Sequence, residues 1–155
     1  MGRRAAGVRV IRPARPDDLA TLGDVAMRSK AHWGYDADFL EACREELSPT
    51  AADLGPGLMT WEDEAPRAVA HVVMAGGVAE LYLLFVAPEA MGQGIGRDLF
   101  GWACDYARGE GAERLGLDAD PYATPFYEKM GCVQVGEVPS ATWPDRMLPR
   151  MEYQL

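Results

Sequence analysis

The sequence predicts an α+β domain built on a mixed sheet. Three observations carry this. Strand and helix candidates follow in the order β-αα-βββ-α-β-α-ββ, a glycine-rich turn joins the longest apolar strand to an amphipathic helix, and the composition is ordinary for a globular chain. At 155 residues the chain suits a single core. We expect one domain over residues 7–155 behind a loose basic tail at 1–6.

Residues 8–12 (Val-Arg-Val-Ile-Arg) read as a first strand. Pro16 then opens a helix with Asp17 and Asp18 in its first turn, where acidic groups complement the helix dipole. Leu19, Leu22, Val25 and Ala26 recur at helical spacing. A second helix is expected from near Asp36, with Phe39, Cys43 and Leu47 on one face and Pro49 beyond its end. Residues 58–61 and 68–74 read as hairpin strands, and Gly76-Gly77 turns the chain into a long strand at 78–86. A helix at 97–108 should bury Phe100, Ala103 and Ala107 and stop at Gly109. A strand at 113–118, a short helix at 126–130 closed by Gly131, and strands at 133–138 and 150–154 complete the order.

The net charge of −9 argues against nucleic acid as a default partner and is compatible with basic or amine substrates, although an acidic surface has solubility as its simplest reading. Cys43, Cys104 and Cys132 are odd in number and widely spaced. With His32 and His71 they complete no metal set, so we expect no metal and reduced thiols in a cytoplasmic protein. Met1-Gly2-Arg3-Arg4 is followed by no apolar segment, and no run approaches membrane-spanning length, so neither export nor a membrane partner is expected.

Gly92-Gln93-Gly94-Ile95-Gly96-Arg97 lies between a strand and a helix, an arrangement that leaves backbone N–H groups open beside a positive helix end and so binds phosphate. A P-loop would need Lys followed by Ser or Thr where Arg97-Asp98 stands. A dinucleotide fingerprint would need its third glycine three places after the second, whereas Gly96 follows Gly94 by two. The Gly-x-Gly-x-Gly spacing instead resembles the pyrophosphate loop of the GCN5-related N-acetyltransferases, whose pattern Arg/Gln-x-x-Gly-x-Gly/Ala would begin at Met91, a departure in the first residue. Downstream, Asp120-x-x-Ala123-x-x-Phe126-Tyr127-Glu128-Lys129-Met130-Gly131 is similar to the family's Asn-x-x-Ala-x-x-Phe-Tyr-x-x-x-Gly, with Asp for Asn. Leu84-Phe85-Val86-x-Pro88 resembles the strand that pairs with pantetheine. The three stand in family order over roughly residues 79–137.

The resemblance implies a mostly antiparallel sheet of six to seven strands, splayed at an acetyl-CoA site and flanked by about four helices. It places Leu84, Phe85 and Val86 against pantetheine, Met91, Gly92, Gln93, Gly94, Ile95, Gly96 and Arg97 around the pyrophosphate, and Asp120 and Phe126 beside the cofactor. It makes Tyr127 the acid that protonates the departing thiolate. Glu80, at the spacing of the family's base glutamate, is either that base or a charged residue at a solvent-facing strand start.

On the acceptor side the resemblance places the segment around His32, Trp33 and Tyr35, with Arg146 in the C-terminal hairpin. The two aromatic residues can form a wall for a cation or cap the core, and Arg146 can hold a carboxylate. His71, mid-strand, reads as a sheet histidine. The expected function is acetyl transfer from acetyl-CoA to the primary amine of a small molecule or peptide. Two readings stay open beside it: a longer acyl donor, and a non-catalytic acyl-CoA-binding module of the same fold. Family members often pair through their C-terminal strands, so a homodimer is a further implication that no residue here decides.

Overall fold

The computed structural model describes residues 9–155. The expected tail at 1–6, and position 8 of the expected first strand, lie outside the described residues. The elements are β1 (Val10–Pro13), α1 (Leu19–Ala31), α2 (Ala37–Leu47), β2 (Leu58–Glu62), β3 (Pro66–Ala75), β4 (Val78–Val86), α3 (Ile95–Gly109), β5 (Arg114–Asp118), α4 (Thr124–Met130), β6 (Val133–Pro139) and β7 (Met147–Gln154). Hydrogen bonds order the strands β1-β2-β3-β4-β5-β7-β6 in one sheet. β4 and β5 are parallel, while β1 with β2, β2 with β3, β5 with β7 and β6 with β7 are antiparallel. The sheet is thus mixed, mostly antiparallel and flanked by four α-helices, as the sequence predicts.

The described residues divide into two compact units, one of residues 9–71 with Leu83–Leu99, the other of Val72–Tyr82 with Phe100–Leu155. The first unit's core joins Leu22 and Ala26 of α1, Cys43 and Leu47 of α2, Leu58 of β2, Val69 of β3 and Leu83 of β4. Leu22, Ala26, Cys43 and Leu47 are apolar positions that recur at helical spacing in α1 and α2. Burying a side chain such as Leu22 or Leu58, both at 0% exposure, contributes about 1.5–3 kcal/mol. Asp36 caps α2, its Oδ1 accepting from the Phe39 N–H at 2.8 Å. Arg12 of β1 clamps Asp18 (Nη1 to Oδ2, 2.8 Å) and Glu62 (Nη2 to Oε1, 3.0 Å), tying β1 to the end of β2 and to the turn before α1.

In the second unit, Leu115, Leu117 and Met151 are fully or nearly fully buried on one sheet face, and Phe100 of α3 meets Tyr153 of β7 edge-on at 5.6 Å. The parallel register of β4 and β5 is short. Val78 faces Arg114, Ala79 faces Leu115 and Glu80 faces Gly116; β4 then runs on to Val86, while β5 stays paired with β7 as far as Asp118 opposite Arg150. Among the described residues no helix is long and apolar enough to cross a membrane.

Several element bounds differ from the sequence reading by one to three residues; β3 begins at Pro66 and α4 at Thr124, and two further shifts have a local cause. α3 begins at Ile95, before the expected Arg97, because the Gly94 carbonyl already accepts from the Asp98 N–H at 3.0 Å and Ile95 is buried at 2%. β7 begins at Met147, ahead of Arg150. Pro149 fits inside it because it lies past the last β5 rung, where only its carbonyl is used, by the Ala119 N–H at 2.8 Å.

Candidate acetyl-transfer site

The glycine-rich turn belongs to the first unit. After β4, the Ala87 N–H donates to the Arg67 carbonyl at 2.7 Å, and a single 3-10 turn spans Pro88–Ala90. Glu89 in that turn accepts from Arg28 of α1 (Nη1 to Oε2, 2.7 Å) and lies 3.7 Å from Arg67 Nη1, which braces the approach to the loop from α1 and β3. Gly92 and Gly94 have φ of 78° and 82°, left-handed values that a side chain disfavours. Since Gly94 supplies the first helical carbonyl, the N–H groups of Ile95, Gly96 and Arg97 have no intrahelical acceptor. Arg97 folds back beside the loop, its Nη2 3.3 Å from where a Cβ on Gly94 would stand. The loop therefore offers orphan backbone donors, a helix N-terminus and a guanidinium together, a combination suited to a diphosphate. Leu84, Phe85 and Val86, upstream on β4, are half-buried.

The α1–α2 connector is also in this unit. His32 and Trp33 meet edge-on at 5.6 Å, and Trp33 is 39% exposed. Tyr35 stacks on Phe39 at 4.4 Å, and the Lys30 Nζ stands 5.5 Å from the Tyr35 ring and 5.8 Å from Phe39. The chain's own ammonium thus lies over the tyrosine that sequence analysis offers to a bound cation.

The second unit holds Tyr127. It sits on α4, buried at 7% exposure, with Phe126 at 5.1 Å and Phe100 at 6.2 Å between ring centres. Gly131, at φ 103°, ends the helix, and its neighbour Cys132 donates its N–H to the Tyr127 carbonyl at 2.9 Å. Burial raises the Tyr127 hydroxyl well above its ordinary pKa, helped by Cys132 and Asp120 nearby, so the phenol stays protonated at neutral pH. Asp120 starts the turn into α4: its Oδ1 accepts from the Tyr122 N–H at 2.9 Å and its Oδ2 lies 3.5 Å from Arg146 Nη2. Asp120 and Arg146, assigned to cofactor and acceptor by separate arguments, are therefore partners.

Glu80 lies in the same unit on the last β4 rung paired with β5. Arg150 of β7 holds its carboxylate in a two-pronged pair, Nη1 donating to Oε2 at 2.7 Å and Nη2 to Oε1. Arg150 Nη1 also donates to Asp118 Oδ1 at 3.1 Å. Among the described residues no group of three or more His, Cys, Asp or Glu side chains is placed to hold a metal ion.

Residues 25–132 match the family model described as Acetyltransferase (GNAT) family. The chain belongs to the GNAT acetyltransferase family. Its fold is shared with solved structures at low identity. The paia N-acetyltransferase of Thermoplasma acidophilum, in complex with coenzyme A, is 19% identical with a TM-score of 0.76, the match covering 96% of this chain and 99% of that one. A GCN5-related N-acetyltransferase from Rhodopseudomonas palustris is 23% identical with a TM-score of 0.74, covering 99% and 100%. The yncA protein of Salmonella typhimurium, solved with acetyl-CoA, is 19% identical with a TM-score of 0.66, covering 96% and 95%. No curated protein sequence matches the chain.

As a GNAT family member the protein is an acyltransferase. Within it, sequence reasoning missed Arg150, Asp118 and Gly116. One signal was available: Gly116 interrupts an apolar strand between Leu115 and Leu117, and a strand-interior glycine marks a bulge or a close approach of other atoms.

Proposed function

We propose that this GNAT protein transfers the acetyl group of acetyl-CoA to the primary amine of a small molecule or peptide, by direct attack in a ternary complex. The observation that carries the reading is the loop from Gly92 to Arg97, whose two left-handed glycines and unpaired N–H groups at the start of α3 complement a diphosphate. Met91, Gln93, Ile95 and Gly96 complete its rim. Leu84, Phe85 and Val86 offer main-chain groups to pantetheine, in the manner of a strand added to a sheet, and Asp120 and Phe126 stand beside the cofactor. No metal enters the scheme.

Acetyl-CoA supplies a thioester carbonyl; the amine nitrogen bonds to its carbon, and the carbon–sulfur bond breaks to release a thiolate. A lysine-like amine has a pKa of about 10.4, so roughly one molecule in a thousand is deprotonated at neutral pH and a base assists. Glu80 serves as that base. Both its oxygens bond Arg150, yet each keeps a further lone-pair site for the amine or an intervening water. Tyr127, held neutral by burial, gives its proton to the thiolate, and preorganisation offsets its weakness as an acid. His32, Trp33, Tyr35 and Arg146 face the acceptor. Three buried cysteines, none in a disulfide, suit a reducing cytoplasm.

The test is calorimetric titration of metal-free protein with acetyl-CoA, with desulfo-CoA and NAD as controls, followed by a thiol-release screen of amines. Micromolar binding and thiol release with an amine support the reading. Folded protein that binds no acetyl-CoA refutes it, and binding without release with any amine leaves an acyl-CoA-binding module.

A further inference from the structure

Arg150 reaches Glu80 across an intervening strand. β5 lies between β4 and β7, and in register Glu80 is beside Gly116, which is beside Glu152, while Arg150 is beside Asp118 two residues on, on the same face. Arg114, Gly116 and Asp118 alternate with Leu115 and Leu117 and so occupy the opposite sheet face, where Arg114 is half-buried, Asp118 exposed and Gly116 buried. The Arg150 side chain crosses that face diagonally and passes directly over Gly116. A Cβ added at 116 would overlap Arg150 Nη2 and stand 2.9 Å from its Cζ and 3.2 Å from Glu80 Oε1. Any side chain at 116 therefore displaces the guanidinium from the carboxylate. A glycine inside a strand costs roughly 0.5–1 kcal/mol, and here its missing side chain is what leaves the lane open.

We propose that Arg150, laid over Gly116, is the positioning residue of the acetyl-transfer site: it fixes the orientation in which Glu80 meets the acceptor amine. The inference rests on Glu80 acting as proposed above. A planar guanidinium engages both carboxylate oxygens at once and so sets the rotation of the carboxylate plane, which an ammonium cannot do. Asp118, sharing Nη1, holds the guanidinium from its other side. With two carboxylates against one guanidinium the cluster stays anionic, which favours a cationic acceptor over a neutral one. The remaining lone pairs of Glu80 are then held in the plane that Arg150 sets, one on either side of the carboxylate.

The experiment compares wild type with Gly116→Ala, Arg150→Lys, Arg150→Ala and the double variant Gly116→Ala/Arg150→Ala. It measures thiol release with spermidine, ethanolamine and an alanyl peptide as acceptor probes, alongside calorimetric acetyl-CoA affinity and melting temperature. We expect Gly116→Ala and Arg150→Lys to lower kcat/KM for the amine by roughly tenfold to a hundredfold, the range that misplacement of a reacting group produces. Acetyl-CoA affinity should be retained, and Gly116→Ala should add no further loss once Arg150 is alanine. Should Gly116→Ala not fold, Arg150→Lys, which keeps the charge and removes the fork, carries the test. Equal losses from Gly116→Ala in both backgrounds, or a lower melting temperature with unchanged amine kinetics per folded molecule, would overturn the proposal alone. A folded wild type that binds acetyl-CoA and transfers to none of the probes would remove the enzymatic reading and this inference with it.

Discussion

Replacing Gly94 by alanine tests the loop through backbone conformation alone. At φ 82° the residue lies where a side chain costs about 1–2 kcal/mol. The new methyl meets only Arg97 Nη2 at 3.3 Å, the free end of a flexible side chain that can move aside, so strain rather than collision sets the magnitude. If the loop keeps its shape, the strain appears as lost stability, a fall of about 2–8 °C in melting temperature for a chain of this size. If the loop relaxes, its N–H groups leave the phosphate and acetyl-CoA affinity falls roughly 5- to 30-fold. The two losses together should sum to about 1–2 kcal/mol. Gly101 is the internal control: it lies in α3 outside the loop, with an ordinary φ and open space where a Cβ would stand, and alanine is worth about 1 kcal/mol more than glycine in a helix. Gly101→Ala should melt no lower than wild type and bind acetyl-CoA within about twofold. Calorimetry and thermal melts on the same preparations read both quantities. Gly94→Ala with unchanged melting and unchanged affinity would refute the argument that a left-handed cradle binds the diphosphate.

Tyr127→Phe keeps the ring against Phe100 and Phe126 and removes only the hydroxyl, so turnover should fall by about 10²–10⁴ with acetyl-CoA affinity and melting temperature nearly unchanged; unaltered kcat under chemistry-limited conditions would remove Tyr127 from the reaction. Asp18 is held below its ordinary pKa of 3.8, chiefly by hydrogen bonds from Arg12. The unfolded chain therefore binds the extra proton first, and the pair's stabilisation, complete above about pH 4, is lost as pH falls through the folded value. Asp18→Asn should lower stability at pH 7 by about 1–3 kcal/mol and flatten the acid limb of stability against pH, as measured by denaturant titration. Burial pushes the Cys104 thiol up to about 11 and Cys132 up to about 12. Both should be silent towards a disulfide reagent at pH 8 until the protein is unfolded, which thiol counting with and without denaturant will show.

What the sequence made legible was local. Helical spacing at Leu22, Val25 and Ala26, the Asp36 cap and the paired glycines before β4 are each read within a few residues, and the fold follows from their order. The loop was equally legible, because left-handed turns demand glycine and Gly92 and Gly94 have no substitute. Arg150 was not, since its partner Glu80 is distant in sequence and the two meet only through the register of three strands. The same holds for Asp120 with Arg146. Lys30 over Tyr35 escaped notice for another reason: a cation within the chain competes for the same ring as a cation from outside, and spacing does not rank them.

The cations that fasten this fold at Arg12, Arg28, Arg67, Arg146 and Arg150 are guanidiniums. An enzyme that gathers an activated thioester beside its own surface is exposed to stray acylation, and the side chains at risk are amines with a reachable neutral form. Arginine stays protonated at any pH the protein meets and is not acylated under those conditions. Its clamps therefore outlast contact with the reagent it handles. Of the side-chain amines, only Lys30 and Lys129 are open to that damage, and of these Lys30 would lose its contact with Tyr35 and Phe39 along with its charge. Scarcity of lysine, whatever its origin in the gene, leaves the molecule chemically durable in the presence of its own acyl donor.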